Sequence, residues 1–411
     1  MPLRSLPRRP LALGLTATTV AALVLGAPAA AAPPAADPVL EWYDATAAAI
    51  AAGGAPTQVT NSRTWAIGWL AAARALRTGE PGRSWQNAAL AGAVHQTLVT
   101  LVPGQAAAAD TTLAASLSRI PDGPAKERGV VAGRSAADAL IAERAGDGLD
   151  PAAVNTPFPV PAPAPGVWQP TPPGHAAATQ YGNRVARPFA LDRPDQYRPG
   201  PPPAVGSARY RADLAEVRAY GGATSTARTA AQTDTATFWL GSSLTLYTGI
   251  LRAAVAPSRA RLADRVRLVA VFHVALVDTQ IATADAKYAY QRWRPVTAIR
   301  TGDLDPDPEW LPLHTTPAHP DYPSGHNTYS GAAEGVLTAL VGRRSAQPYT
   351  ISSPSAPGVT RTYTDWHRPS RENVDARVWS GIHTRNADEA GIRLGLDVAA
   401  HTVREAPGLL H

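Results

Sequence analysis

The chain has 411 residues, no Cys, 40 Pro, 33 Gly and a formal net charge of +6. The lack of Cys excludes disulfides, thiolate metal sites and Cys nucleophiles. The mild charge, with no basic stripe interleaved with aromatics, argues against nucleic acid as a partner.

Residues 1–32 read as a secretion signal. Arg4, Arg8 and Arg9 form a basic start, Leu11 to Leu25 a short apolar run, and Ala29 to Ala32 offer small-residue cleavage sites. Export is expected, by the Sec route or, given Arg8-Arg9, by the twin-arginine route. Losing this segment removes three Arg and no acid, which leaves +3 of the +6. Residues 33–411 are expected to form a single domain large enough for a substantial core.

From about Pro38 to Ala145, apolar residues recur at three- and four-residue spacing, as in Thr64–Arg77 and Trp85–Val102, which predicts helices. Pro81-Gly82, Pro103-Gly104 and Pro121-Asp122-Gly123 punctuate them. Pro151–Pro203 is rich in Pro, yet Trp168, Tyr181, Phe189 and Tyr197 give it apolar anchors that a free linker would not need. It is expected to be an ordered crossover lying on the helical body. Helical patterning resumes over Ala208–Tyr220, Ala230–Ala253, Ala260–Tyr290, Asn327–Val341 and Arg377–Ala400. His273, Asp278 and Asp285 interrupt the apolar run of Arg261–Tyr290, which is therefore not read as a membrane span. Few segments alternate with period two. The expected fold is an all-α helical bundle, with strands limited to short hairpins.

Three segments converge on one chemistry. Lys287 and Arg294 are seven apart, close to two helical turns, so they are expected to share a helix face, which Pro295 then ends or kinks. Charges amid Tyr288, Tyr290 and Trp293 need a partner, such as a bound anion. Ser324-Gly325-His326 precedes a helical run. The unpaired amides and positive dipole end there suit an anion, and the dipole disfavours a charged His326, which suits a proton acceptor. Arg377 and His383 are six apart, about 120° around a straight helix, so they meet only if Arg377 reaches around or Gly381 distorts the helix. Guanidinium forks, a Lys and a helix start match a tetrahedral oxyanion of phosphate shape. His314, His319 and Asp321 are set aside as a divalent metal site, since their Pro-rich loop brings no further ligand at helical spacing.

The joint pattern is Lys287-x6-Arg294-Pro295, Pro323-Ser-Gly-His326 and Arg377-x5-His383. It resembles the signature of the vanadium-dependent haloperoxidases and of the type 2 phosphatidic-acid-phosphatase-like acid phosphatases. It departs from that signature at Ala376, where the family usually has Ser. It departs again at Ala387, where an Asp often orients the last His; Asp388 is one residue later. The context Asp285-Ala-Lys287 through Pro295 and His319-Pro-Asp-Tyr322-Pro-Ser-Gly-His326 looks like the secreted bacterial haloperoxidase-like enzymes, with a looser likeness over Thr224–Leu240 and Trp168–Pro203.

The resemblance implies a vanadate cofactor held by Lys287, Arg294 and Arg377, with hydrogen bonds from Ser324 and the Gly325 amide. It implies that His383 bonds axially to vanadium and that His326 is the acid–base group. Hydrogen peroxide and halide would be the substrates, hypohalous acid the product, and a small organic molecule the acceptor. Bromide-specific relatives tend to carry His seven residues before the His of the second motif, so His319 points to bromide rather than chloride; Trp293 is a second candidate contact. The alternative is a secreted acid phosphatase using the same pocket for phosphate, with a His nucleophile. A third reading is a non-catalytic phosphate or vanadate binder.

Overall fold

The periodic apolar stretches fold into helices in the computed structural model, which describes residues 37–411. The expected secretion signal, 1–32, lies outside the described residues. Before the crossover come α1 (Pro38–Gly53), α2 (Gln58–Thr78), α3 (Arg83–Leu101), α4 (Ala106–Ser118), α5 (Pro124–Glu143) and the short α6 (Pro151–Val154). After it come α7 (Ala208–Gly221), α8 (Ala230–Phe238), α9 (Ser243–Val255), α10 (Leu262–Tyr290), α11 (Pro295–Thr301) and α12 (Gly325–Leu340). A hairpin, β1 (Arg344–Ser353) and β2 (Ala356–Asp365), leads to α13 (His367–Trp379) and α14 (Arg385–Leu409).

Two stretches expected to be continuous helices are broken, each by a polar cap. Ala230–Ala253 divides into α8 and α9, where Ser242 accepts from the Thr245 amide and starts a new helix. Arg377–Ala400 divides into the end of α13 and the start of α14, where Thr384 accepts from the Ala387 amide. The hairpin is antiparallel, pairing Tyr349 with Tyr363 and Ile351 with Arg361. Ser353 ties it to α8 by donating to the Phe238 carbonyl at 2.6 Å.

The axis of the bundle is α10. By length and composition it could cross a membrane, yet 94% of its most apolar window is buried within the protein. Helices α2, α12 and α14 pack against it, and one apolar core joins helices from before and after the crossover. The backbones of α12 and α14 touch: a Cβ on Gly331 would lie 2.1 Å from the Ile392 carbonyl oxygen, and one on Gly395 2.2 Å from that of Thr328. Side chains there would force the pair apart.

The crossover lies on this body as expected, and the acids that interrupt the apolar pattern of α10 are its anchors. Asp278, fully buried, accepts from the amides of Phe189, Ala190 and Leu191 at 2.7, 2.6 and 3.0 Å. Asp285 takes two bonds from Arg198, at 2.7 and 2.8 Å. Trp168 is fully buried, Tyr181 packs edge-on to Tyr288, Phe189 lies under the Arg144 guanidinium and Tyr197 hydrogen-bonds His401.

His273 is the third interruption, and it makes the core sensitive to acid. Its ring stacks on Trp65 at 4.4 Å, neither nitrogen has a hydrogen-bond partner among the described residues, and burial pulls its pKa down to about 3. The unfolded chain protonates this ring near 6.5, well before the folded one does. Stability is therefore lost as pH falls below about 6.5, by about 3 kcal/mol from this group at pH 4. His273→Phe keeps a ring on Trp65 and should remove that part of the pH dependence. Urea denaturation of both proteins at pH 7 and pH 4 checks it; equal losses on acidification would refute the assignment.

Candidate functional site

Helix α10 stops at Tyr290 because Gln291 turns left-handed, with φ of 49°. Arg294 consequently does not share a helix face with Lys287, contrary to the expectation from their spacing. It caps α11, immediately before Pro295. The crossover pins this reversal: the Trp168 amide donates to the Gln291 carbonyl at 2.7 Å, and the Trp293 amide to that of Gly166 at 2.9 Å.

The two cations meet again at the loop before α12. Lys287 donates to the carbonyls of Pro320 and Asp321, at 2.6 and 3.0 Å. Arg294, fully buried, donates through Nε to the His319 carbonyl and through Nη1 to that of Ile382, both at 2.6 Å. Its Nη1 lies 3.1 Å from His383 Nε2, and its Nη2 lies 2.9 Å from His319 Nδ1. Arg377, in the last turn of α13, donates to the Trp239 carbonyl at 3.1 Å.

His383 is held by a residue that the motif pattern did not assign to it. Its Nδ1 lies 2.6 Å from Asp321 Oδ1, and Thr384 donates to Asp321 Oδ2 at 2.9 Å. The orienting carboxylate thus comes from the second motif's own loop rather than from position 387. Asp388 serves α12 instead, accepting from Asn327 Nδ2 at 2.7 Å. His314, once grouped with Asp321, lies 3.1 Å from the Ser380 hydroxyl.

Burial sets the charge states. It pulls Arg294 down to about 10 and Arg377 to about 9, so both stay cationic at neutral pH. Lys287 is drawn well below its usual range by burial and then by Arg294. Burial, then the neighbouring cations, keep His319 and His383 well below 6.5. Burial does the same to His326, helped by Arg377. A neutral His383 donates its single N–H, at Nδ1, to Asp321 and keeps the lone pair on Nε2. His326 sits in the first turn of α12 with Nε2 at 3.1 Å from the Gly241 carbonyl, which leaves Nδ1 as a proton acceptor. Burial pushes the carboxyls of Asp321 and Asp388 up from their usual range.

This donor set fits a tetrahedral oxyanion such as vanadate. Arg377 Nε is buried and has no hydrogen-bond partner among the described residues. A Cβ at Gly325 would meet nothing nearer than Lys287 Cε and Thr283 Cγ2, both at 4.0 Å, so the glycine opens a cradle between Lys287 and the start of α12. Ser324 caps α12 without spending its hydroxyl on the helix amides. Of the residues singled out from sequence, Lys287, Arg294, His319, Ser324, Gly325, His326, Arg377 and His383 come together. Trp293 does not join their hydrogen bonds; it packs with Tyr210, Leu214 and Val296.

Comparison with known proteins agrees with this geometry. The model of the VCPO second helical-bundle domain matches residues 267–411, the stretch that carries the whole cluster. Over that stretch the chain is similar to the vanadium haloperoxidases. Vanadium chloroperoxidase of Curvularia inaequalis is 28% identical over a stretch covering 32% of this chain and 29% of that protein, so the match spans under a third of the relative's length. Likeness of fold reaches further. The crystal structure of the first bacterial vanadium-dependent iodoperoxidase aligns with a TM-score of 0.73 at 22% identity, covering 89% of this chain and 95% of that one. An apo-type bacterial vanadium-dependent chloroperoxidase aligns with a TM-score of 0.65 at 16% identity, covering 86% and 94%.

Arg377 and His383 are not held on one straight helix, because the backbone turns at Gly381. Helix α13 ends at Trp379, and Gly381 has φ of 78°, so Arg377 and His383 are released from the 120° offset of a straight helix. A Cβ there would lie 2.2 Å from the Gly221 carbonyl oxygen and 2.9 Å from Pro312 Cβ. Gly381→Ala should therefore destabilise the fold by at least about 2 kcal/mol, since strain and overlap add. Urea denaturation measures this; wild-type stability would show that the turn tolerates a side chain.

Proposed function

We propose that this protein is an exported, vanadate-dependent haloperoxidase that oxidises halide with hydrogen peroxide to hypohalous acid. The carrying observation is the neutral His383, held by Asp321, with its Nε2 beside the Arg294 guanidinium in a cluster that also buries Lys287 and Arg377. A phosphate-shaped anion would be held by those basic groups, and a bond from His383 to a metal centre would use that lone pair. When bound, vanadate supplies Lewis acidity toward peroxide without changing oxidation state. Lys287, Arg294 and Arg377 would hold its oxygens, Ser324 and the Gly325 amide would add neutral donors, and His326 would accept and return a proton.

Bromide is the proposed halide over chloride, on the strength of His319. The structure adds a second task for that ring, because its Nδ1 accepts from Arg294. A paired assay tests the function. Protein purified without vanadate is incubated with orthovanadate, then given hydrogen peroxide with iodide, bromide or chloride and a diketone dye. A parallel sample receives a chromogenic phosphate ester. Bromination that depends on vanadate, with phosphate competing against reconstitution, is the expected result. Ester hydrolysis that vanadate inhibits, with no halogenation, would make this a phosphatase instead.

A further inference from the structure

A cavity of about 500 Å³ lies between the Pro-rich crossover and α11, a size typical of small-molecule sites. Pro163, Pro165, Pro170 and Pro172 line one side, and Trp293 and Arg300 line the other. Proline walls have little conformational freedom left to lose on binding. Arg300 is the one permanently charged residue in the lining, and no acid accompanies it. It is half-buried and makes no hydrogen bond or ion pair among the described residues. A guanidinium against an apolar wall without a counter-ion favours an anion, and its fork suits a carboxylate.

The cavity adjoins the oxyanion cluster through the chain itself. Trp293 directly precedes Arg294, and Arg300 lies six residues along α11, about 9 Å on a helix axis. The crossover is tied to the residue before His319, since the Thr179 amide donates to the Ala318 carbonyl at 2.9 Å.

We propose that this cavity binds the organic acceptor, and that the acceptor is a small aromatic carboxylic acid, its ring against Trp293 and the prolines and its carboxylate on Arg300. The proposal rests on the haloperoxidase reading above. Hypohalous acid formed at the cluster reaches a ring already in place. The carbon–halogen bond forms, the ring C–H bond breaks, and the hydroxyl of the hypohalous acid leaves with that proton as water. Trp293 is thereby a contact for the acceptor rather than for the halide.

The test is calorimetric titration of 4-hydroxybenzoate into the protein with its oxyanion cluster saturated by orthovanadate, and with no peroxide or halide. Saturable binding at one site is expected. Arg300→Gln should weaken it at least tenfold, and so should Thr297→Trp, which fills the cavity from α11. Arg128→Gln, on the exposed face of α5, should bind as wild type does. The uncharged 4-hydroxybenzyl alcohol should bind at least tenfold more weakly than the acid. Absence of binding, or binding indifferent to both cavity variants, overturns the site. The paired halogenation assay is independent of this cavity, so binding by a protein that does not halogenate would overturn the acceptor assignment specifically.

Discussion

Asp321→Ala is expected to weaken orthovanadate binding about ten- to a hundredfold, the range seen when the partner that orients a metal-bound His is removed. Asp321 sits at the centre of the site's wiring. One carboxylate oxygen fixes His383 Nδ1 at 2.6 Å, the other takes the Thr384 hydroxyl, and its own carbonyl receives Lys287. Losing the side chain frees the imidazole to rotate or to change tautomer, and the Nε2 lone pair is then no longer held in place. Removing a negative charge would by itself favour an anion, so a net loss means that orientation outweighs charge. Asp321→Asn separates the two effects: it removes the charge but leaves an oxygen able to accept from Nδ1–H, and it should fall between Ala and wild type. Equilibrium dialysis against orthovanadate reads all of this without any turnover. The sharpest comparison is with Asp388→Ala. If that variant loses more affinity than Asp321→Ala, Asp388 and not Asp321 orients His383.

The difference between those two acids shows where sequence reasoning stops. Lys287, Arg294, Ser324, Gly325, His326, Arg377 and His383 are legible because they stand in three short motifs whose joint pattern resembles a known oxyanion-site signature. The Asp321–His383 bond joins residues 62 apart, and nothing local to either residue announces it. The loop His319-Pro-Asp-Tyr-Pro does hold a carboxylate two residues before Pro323, which is the one available hint.

Helix ends were harder to read than helices. The periodic run stops at Tyr290 and Gly381 stands out as a place where the last helix could distort, but the left-handed turns at Gln291 and Gly381 themselves leave no mark in the periodicity. Those breaks also decide the site. The first lets Arg294 approach Lys287 from a second helix, and the second frees His383 from α13. The acids within α10 were legible as reasons against a membrane span. Their role as anchors for the crossover needed the long-range contacts to Phe189–Leu191 and Arg198.

His326→Ala is expected to keep orthovanadate affinity within a few-fold and to lower turnover by about a hundredfold or more, the usual contribution of a positioned acid–base group. His326 stands in the first turn of α12, yet its Nε2 is spent on the Gly241 carbonyl at 3.1 Å. Burial and Arg377 keep the ring neutral, so it adds no charge to hold an anion. It supplies a basic nitrogen, and only a reaction that moves a proton has use for one. A simple binder would therefore be indifferent to this substitution in every assay, whereas an enzyme loses rate and keeps its cofactor. Bromination rates at saturating orthovanadate, set beside dialysis on the same protein, distinguish the two. Unchanged turnover would remove His326 from the reaction. A parallel collapse of affinity and rate would place it among the groups that hold the oxyanion and leave the proton without an assigned acceptor.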